Sequence, residues 1–256
     1  MRDGSLIPRF GRARRDPSEA VLEGFHAVKH ALRFGAEIEV LLTPDRDALL
    51  GLADRLAPDV RAGLAERARE VEPELFAQLV PLPPSTGVVA IAHRPRVDVG
   101  SVLAGAARPL VLLENPRDLG NTGACVRVAA AADAGGVLVT GSHDPWHPDA
   151  LRGAAGLHFA LPVAALADLA PLAGTDRPLI GLDPEGEELD PATLDPRAIL
   201  AFGTERDGLS EELAGRADAL LAIPMREGVS SLNLATAVAA VLFAWRLAAG
   251  AGRARG

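Results

Sequence analysis

Two runs decide the fold: Ile199-Leu200-Ala201-Phe202 entering Gly203-Thr204-Glu205-Arg206-Asp207-Gly208-Leu209-Ser210, and Ala219-Leu220-Leu221-Ala222-Ile223 ending at Pro224-Met225. Both are short, continuous and apolar, the pattern of strands covered on both faces of a parallel sheet. Each stops at a loop carrying glycine, a hydroxyl and a polar group, and ligands of α/β sheets bind beyond such strand ends. A second loop, residues 226–231, opens a long apolar helix at Leu232-Asn233-Leu234.

Upstream, the same alternation continues. Residues 110–113, 137–140, 159–163 and 179–182 read as strands, and 121–134, 148–155 and 164–173 as helices. This predicts an α/β domain over 109–250 with a mainly parallel sheet, and an exposed acidic connection over 184–196. Residues 18–94 read as a smaller α/β domain. Its first helix is expected from an N-cap at Ser18, with Val21, Leu22, Phe25, Val28 and Leu32 on the apolar stripe. Further expectations are a strand over 37–42, helices over 47–57 and 60–71, and a strand over 87–92. Residues 95–108 are expected as a linker and 251–256 as a tail.

The chain has 256 residues and a formal charge of −8, which does not announce a nucleic-acid binder. Charge is uneven, however. Arg2, Arg9, Arg12, Arg14 and Arg15 face only Asp3 in a basic arm over residues 1–17. That arm either neutralises phosphates or is a disordered terminus. The single cysteine, Cys125, excludes an intrachain disulfide and fits a reducing, cytoplasmic setting. No N-terminal apolar stretch suggests a leader. The one membrane-length run, 232–249, holds Asn233, Thr236 and Arg246 and reads as a buried or interface helix.

Neither Gly-x-Gly-x-x-Gly after the first strand of 109–250 nor a P-loop is present, which disfavours a dinucleotide or nucleoside-triphosphate site. His26 and His30 lack a third and fourth metal ligand, so no metal is expected. The loop His143-Asp144-Pro145-Trp146-His147 reads as proline-broken with an aromatic anchor. Trp146 there either stacks a nucleobase or covers the domain edge.

Three ordered segments resemble the motifs of the SpoU (TrmH) family of RNA 2′-O-ribose methyltransferases, within the SPOUT superfamily. They are Asn121-Thr122-Gly123…Arg127, Gly203–Ser210, and Ile223-Pro224-Met225…Ser231-Leu232-Asn233. The resemblance extends over residues 18–249, where Glu23-Gly24…Val28 and the turn Pro84–Gly87 match the family's N-terminal substrate-binding domain. It implies a trefoil knot in the C-terminal domain, S-adenosylmethionine as cofactor, and ribosomal or transfer RNA as substrate. It also implies a homodimer, for which Val238, Val241, Leu242 and Trp245 on the last helix supply an interface.

The resemblance assigns the cofactor to Gly203, Thr204, Gly208, Leu209, Ile223, Met225 and Leu232, and catalysis to Arg127, Asn121, Glu205, Ser231 and Asn233. The residue types suit these roles. Glycine at a strand end lets a ligand approach backbone, and apolar residues beside open backbone groups clasp an adenine. Arg127 lies in an almost wholly apolar helical run and needs an anion or a cavity. The alternative is a salt bridge to Glu114 or Asp118. A guanidinium is very hard to deprotonate, so orienting phosphate and stabilising an alkoxide is easier for it than acting as base. Glu205 is expected to pair with Arg127, and Asn121 could equally be a helix N-cap.

Three positions depart from the family pattern. Thr86 replaces a usual Gln, Ser230 stands where an acidic residue is common, and Arg152-Gly153-Ala154-Ala155-Gly156 lacks a usual serine. Two further readings are a base methyltransferase on a related knotted fold, against which Asn121…Arg127 argues, and a non-catalytic RNA-binding protein with a vestigial pocket.

Overall fold

The structure, a computed structural model, describes residues 3–204 and 207–253. In chain order the helices are α1 (Leu6–Ala13), α2 (Phe25–Arg33), α3 (Arg46–Leu56), α4 (Arg61–Arg67), α5 (Pro73–Phe76), α6 (Val99–Ala104), α7 (Leu119–Ala131), α8 (Pro148–Gly153), α9 (Glu211–Arg216) and α10 (Leu234–Arg253). The strands are β1 (Glu19–Glu23), β2 (Ile38–Thr43), β3 (Ala68–Glu70), β4 (Val89–His93), β5 (Leu110–Leu113), β6 (Gly136–Thr140), β7 (Val163–Leu166), β8 (Leu179–Glu188), β9 (Ile199–Phe202) and β10 (Ala219–Ala222). They form two compact units, one up to Arg96 plus Trp146–Ala160, the other Val97–Pro145 plus Leu161 onward.

The first unit holds a four-stranded sheet ordered β1-β4-β2-β3. The expected basic arm is a helix instead. Leu6, Phe10 and Ala13 of α1 are fully buried against Val21, Leu42, Phe76 and Ile91. Of the arginines on and just after this helix, Arg9 and Arg14 are matched by carboxylates. Arg9 bridges Glu19 at 2.5 Å and Glu39 at 2.6 Å, and the Glu19 hydrogen bond holds its guanidinium above the ordinary range. Arg14 pairs with Glu23. Arg12 and Arg15 remain exposed, and Arg2 lies outside the described residues.

The helix expected from Ser18 is also corrected. Ser18 is tied to the Asp16 carboxylate, its amide at 2.8 Å and its hydroxyl at 2.6 Å, and the chain then enters β1. Val21 and Leu22 are both buried because both faces of that strand are covered. The helix begins at Phe25, whose N–H donates to Thr86 Oγ1 at 2.9 Å. Thr86 thus caps a helix whose own N-cap, Gly24, has no side chain. Residues 60–71 are not one helix, since Ala68–Glu70 peel off as β3 to pair parallel with β2.

The segment Trp146–Ala160 packs in this unit. Trp146 is only 5% exposed, lying 4.9 Å from the His158 ring, 5.3 Å from Phe159 and 5.9 Å from the Arg94 guanidinium. It is packed inside the unit and is not free to stack a base. Arg152 reaches the buried Glu23 at 2.6 Å. Gly156 has φ +75°, and a Cβ there would sit 2.4 Å from Ala27 O, so only glycine fits. Residues 157–159 form a 3₁₀ turn rather than the start of a strand.

The second unit is a six-stranded sheet, β10-β8-β9-β5-β6-β7, in which every neighbouring pair is parallel. β5 and β9 are buried at every residue and pair Leu110↔Ile199 through Leu113↔Phe202. Residues 164–173, expected as a helix, begin instead with β7, since pairing with β6 outweighs the helix propensity of an alanine run and Pro171 sits in a 3₁₀ turn. The stretch expected as a linker contains α6, capped by Asp98 at 3.1 Å, with Leu103 buried in the core. Arg177, 3% exposed, binds this stretch by donating to the carbonyls of Leu103, Gly105, Ala106, Arg108 and Arg197. The expected connection over 184–196 is strand as far as Glu188, pairing Leu221↔Glu187.

α10 runs through Arg253, into the expected tail, and packs on α7. Val238, Val241 and Leu242 are fully buried within the chain, so they are core rather than interface. Phe243 at 40% and Leu247 at 74% are exposed large apolar residues of that helix. Among the described residues no helix is long and apolar enough to cross a membrane.

Candidate active site

The middle of β8 and the carboxyl ends of β9 and β10 surround a cavity of about 610 Å³. Ligand pockets commonly span roughly 300–1,000 Å³. β8 contributes Leu182, Asp183, Pro184 and Glu185. β9 and its loop contribute Phe202, Gly203, Thr204, Asp207 and Gly208. β10 and the loop after it contribute Leu221, Ile223, Met225, Ser230, Ser231 and Leu232, and α10 closes the wall with Leu234 and Ala237.

The loop after β9 is wound tightly. Thr204 and Gly208 exchange backbone hydrogen bonds at 2.9 and 3.2 Å, and Thr204 Oγ1 accepts from the Asp207 N–H at 2.9 Å. A Cβ on Gly203 would stand 2.0 Å from Gly208 C and 2.3 Å from Leu209 N. That glycine is therefore required by the turn itself. Ser210 caps α9 while its N–H and hydroxyl donate to Glu114 at 2.8 and 2.6 Å.

Those bonds settle what Glu114 does, and it is not a partner of Arg127. Asp118 is not one either. It is the N-cap of α7, accepting from Asn121 N at 2.7 Å, so Asn121 is not the cap. Among the described residues Arg127 forms no ion pair, and it is exposed on α7. Glu205, expected as its partner, lies outside the described residues. The Asn121 side chain instead accepts from Asn233 Nδ2 at 3.0 Å. Asn233 Oδ1 accepts from Ala235 N at 3.0 Å and Thr236 N at 3.3 Å, which caps α10. One asparagine pair thus joins the first turn of the Arg127 helix to the helix that closes the cavity.

The structure brings Gly203, Thr204, Gly208, Ile223, Met225, Leu232 and Ser231 to one cavity. Leu209 is absent from that lining and packs against the core. Arg127, Asn121 and Asn233 lie outside the lining. Sequence reading missed the β8 wall because residues after Leu182 looked like an exposed connection. The signal was available in the rule that strand ends of one parallel sheet share a mouth.

The histidines have other work. His143 Nδ1 lies 3.1 Å from Pro116 O, and His147 Nδ1 accepts from Asp149 N at 3.2 Å to cap α8. His30 Nδ1 lies 2.7 Å from Ala155 O and must carry the proton to donate there. Burial pulls the His30 imidazole below its ordinary value of 6.5. No metal-binding cluster occurs among the described residues.

Residues 108–243 match the SpoU rRNA Methylase family. An uncharacterised tRNA/rRNA methyltransferase of Mycobacterium bovis is 33% identical over 209 residues, 77% of this chain and 72% of that protein. The 23S rRNA (uridine(2479)-2′-O)-methyltransferase of Streptomyces viridochromogenes is 28% identical over 236 residues, covering 88% and 81%. Among solved structures, the SpoU methyltransferase AviRb from Streptomyces viridochromogenes superposes with TM-score 0.76 at 26% identity, covering 97% of this chain and 96% of that one. Its complex with the cofactor AdoMet gives TM-score 0.73 at 25% identity, covering 96% and 95%.

Proposed function

Because the chain belongs to the SpoU rRNA methylase family, we propose that it transfers the methyl group of S-adenosylmethionine to a ribose 2′-hydroxyl of structured RNA. The observation that carries this is the cavity between mid-β8 and the ends of β9 and β10, built in large part by the loops whose sequences resemble the family motifs. The residues present fit the cofactor. Phe202, Ile223, Leu232 and Leu234 offer apolar surface for an adenine, the Gly203 turn offers backbone polar groups, and carboxylates on β8 suit a cation.

When bound, S-adenosylmethionine supplies an electrophilic methyl on a sulfonium. The chain's residues do the rest. The Gly203–Gly208 turn and the apolar residues from Ile223 to Leu232 hold the cofactor, with Ser231 at the cavity wall. Arg127 stays protonated. Its fork of donors is suited to an RNA phosphate and to the alkoxide that develops as the 2′-hydroxyl loses its proton. The Asn121–Asn233 pair acts as a positioning contact between α7 and α10, and Glu205 is assigned to the same catalytic set on the family motif. The first unit is assigned to gripping RNA. Relatives named as 23S rRNA 2′-O-methyltransferases align over most of this chain, which supports ribosomal RNA. Exposed Phe243 and Leu247 on α10 support a homodimer. A single cysteine supports a cytoplasmic setting.

Nucleoside mass spectrometry tests the reading. The protein is incubated with S-adenosylmethionine and unmodified ribosomal or transfer RNA in separate reactions. A 2′-O-methylnucleoside from ribosomal RNA is expected. A base-methylated product, or none despite cofactor binding, would overturn it.

A further inference from the structure

The charge of the cavity wall carries an inference about how cofactor and product are told apart. Among the described lining residues there are three carboxylates, Asp183, Glu185 and Asp207, and no lysine or arginine. Asp207 has its own counter-charge, since the Arg117 guanidinium lies 3.2 Å away. Asp183 and Glu185 form no ion pair among the described residues. Asp183 is half-buried, and its Oδ1 accepts from Glu185 N at 2.8 Å, which fixes the carboxylate in mid-β8, one residue past the Leu182 that pairs with Phe202 at the end of β9. Glu185 is exposed. A carboxylate held partly away from water attracts a cation more strongly than one in bulk solvent, and walls of one sign focus that field into a cleft.

In the transfer, the sulfur–methyl bond breaks and the oxygen–methyl bond forms. The electron pair of the broken bond returns to sulfur, and the hydroxyl proton goes to water. The sulfonium therefore becomes a neutral thioether, and the rest of the molecule keeps its charges. We propose that Asp183, supported by Glu185, makes the cavity select the cationic cofactor over its neutral product, so that transfer itself weakens the hold on what remains. This rests on the assignment of S-adenosylmethionine to the cavity. The carboxylates take no part in the chemistry. They set which of two otherwise similar ligands is held.

Calorimetry on the full chain without RNA tests this, titrating S-adenosylmethionine and S-adenosylhomocysteine separately. The wild-type chain is expected to prefer the sulfonium about tenfold, the ratio that about 1.4 kcal/mol gives. Asp183→Asn should lower that preference to about threefold or less, with the S-adenosylhomocysteine affinity unchanged as a control for folding. Glu185→Gln should lower it less, and Asp183→Glu should largely retain it. Added salt should shrink the wild-type preference. Equal affinities in the wild type, or equal weakening of both ligands by Asp183→Asn, would overturn the proposal while leaving the cofactor assignment standing. If neither ligand binds, the cofactor assignment itself is overturned and this proposal with it.

Discussion

Arg127 is flanked by Ala124, Cys125, Val126, Val128 and Ala129, yet it is exposed and unpaired among the described residues. The two carboxylates considered as its partners are committed elsewhere, Glu114 to Ser210 and Asp118 to the start of α7. Among the described residues no carboxylate competes with an external anion for its guanidinium. Arg127→Ala should lower the methyl-transfer rate by about 10²-fold or more, as loss of an oxyanion donor does, while the cofactor's Kd stays the same. Arg127→Lys should recover only part, since a lysine offers a point charge instead of a fork. Single-turnover transfer and calorimetry separate the two effects, and a matching loss of cofactor binding would make Arg127 structural. Gly203→Ala is a different case. Its Cβ would fall 2.0 Å from Gly208 C, so the turn must open. We expect at least about tenfold weaker cofactor binding and a stability loss of about 1–3 kcal/mol, read by calorimetry and denaturant titration. Both residues were legible because chemistry singles them out: a charge among apolar neighbours, a glycine ending a buried strand. Asp183 was not, because its importance depends on β8 continuing past Leu182, which no local pattern announces.

At the level of elements, errors followed where tertiary contacts overrule local preference. The residues of β7 are alanine-rich and helix-prone, but β6 offers them a parallel ladder. The face of α1 formed by Leu6, Phe10 and Ala13 has helical spacing, yet the surrounding arginines made it look like a solvated arm. Caps, by contrast, rest on a few atoms. Asn233→Ala removes both the α10 cap and the bond to Asn121, costing about 1 kcal/mol, or roughly 2–4 °C in Tm for a chain of this size. Asn233→Asp keeps the cap and should keep the Tm, which differential scanning would show. His30 supplies a pH dependence. Its folded value lies below the ordinary 6.5, so the unfolded chain takes up the proton first. Its contribution is complete above that value, declines as pH falls through it, and levels off once the folded state is protonated too. Denaturant midpoints between about pH 7 and pH 5 should fall more steeply for the wild type than for His30→Asn, which keeps a donor for Ala155 O without the titration. Parallel slopes would assign the acid sensitivity to other groups.

For the whole molecule, the parallel sheet and the smaller α/β unit were legible from alternating apolar runs. The strand order was not, because β9 inserts between β8 and β5 although both of those precede it in the chain. The expectation of a knot came from family resemblance alone, since periodicity says nothing about threading. Self-association belongs to this scale as well. On the proposed homodimer reading the wild type should sediment as a dimer and Leu247→Glu as a monomer in analytical ultracentrifugation at micromolar concentration, whereas Val241→Ala should act on stability, because Val241 is fully buried within one chain. A final consequence follows from the segment Trp146–Ala160, which leaves one unit to complete the other and brings Trp146 and Leu151 into its core. The first unit is therefore not a cassette. A gene fragment ending at Arg96 omits the helix that packs on β1 and the arginine that meets Glu23. Recombination among relatives that exchanged only the N-terminal stretch would deliver a recognition module with a hole in it, so new RNA specificity in this lineage is expected to arise by point changes or by paired exchanges at both places.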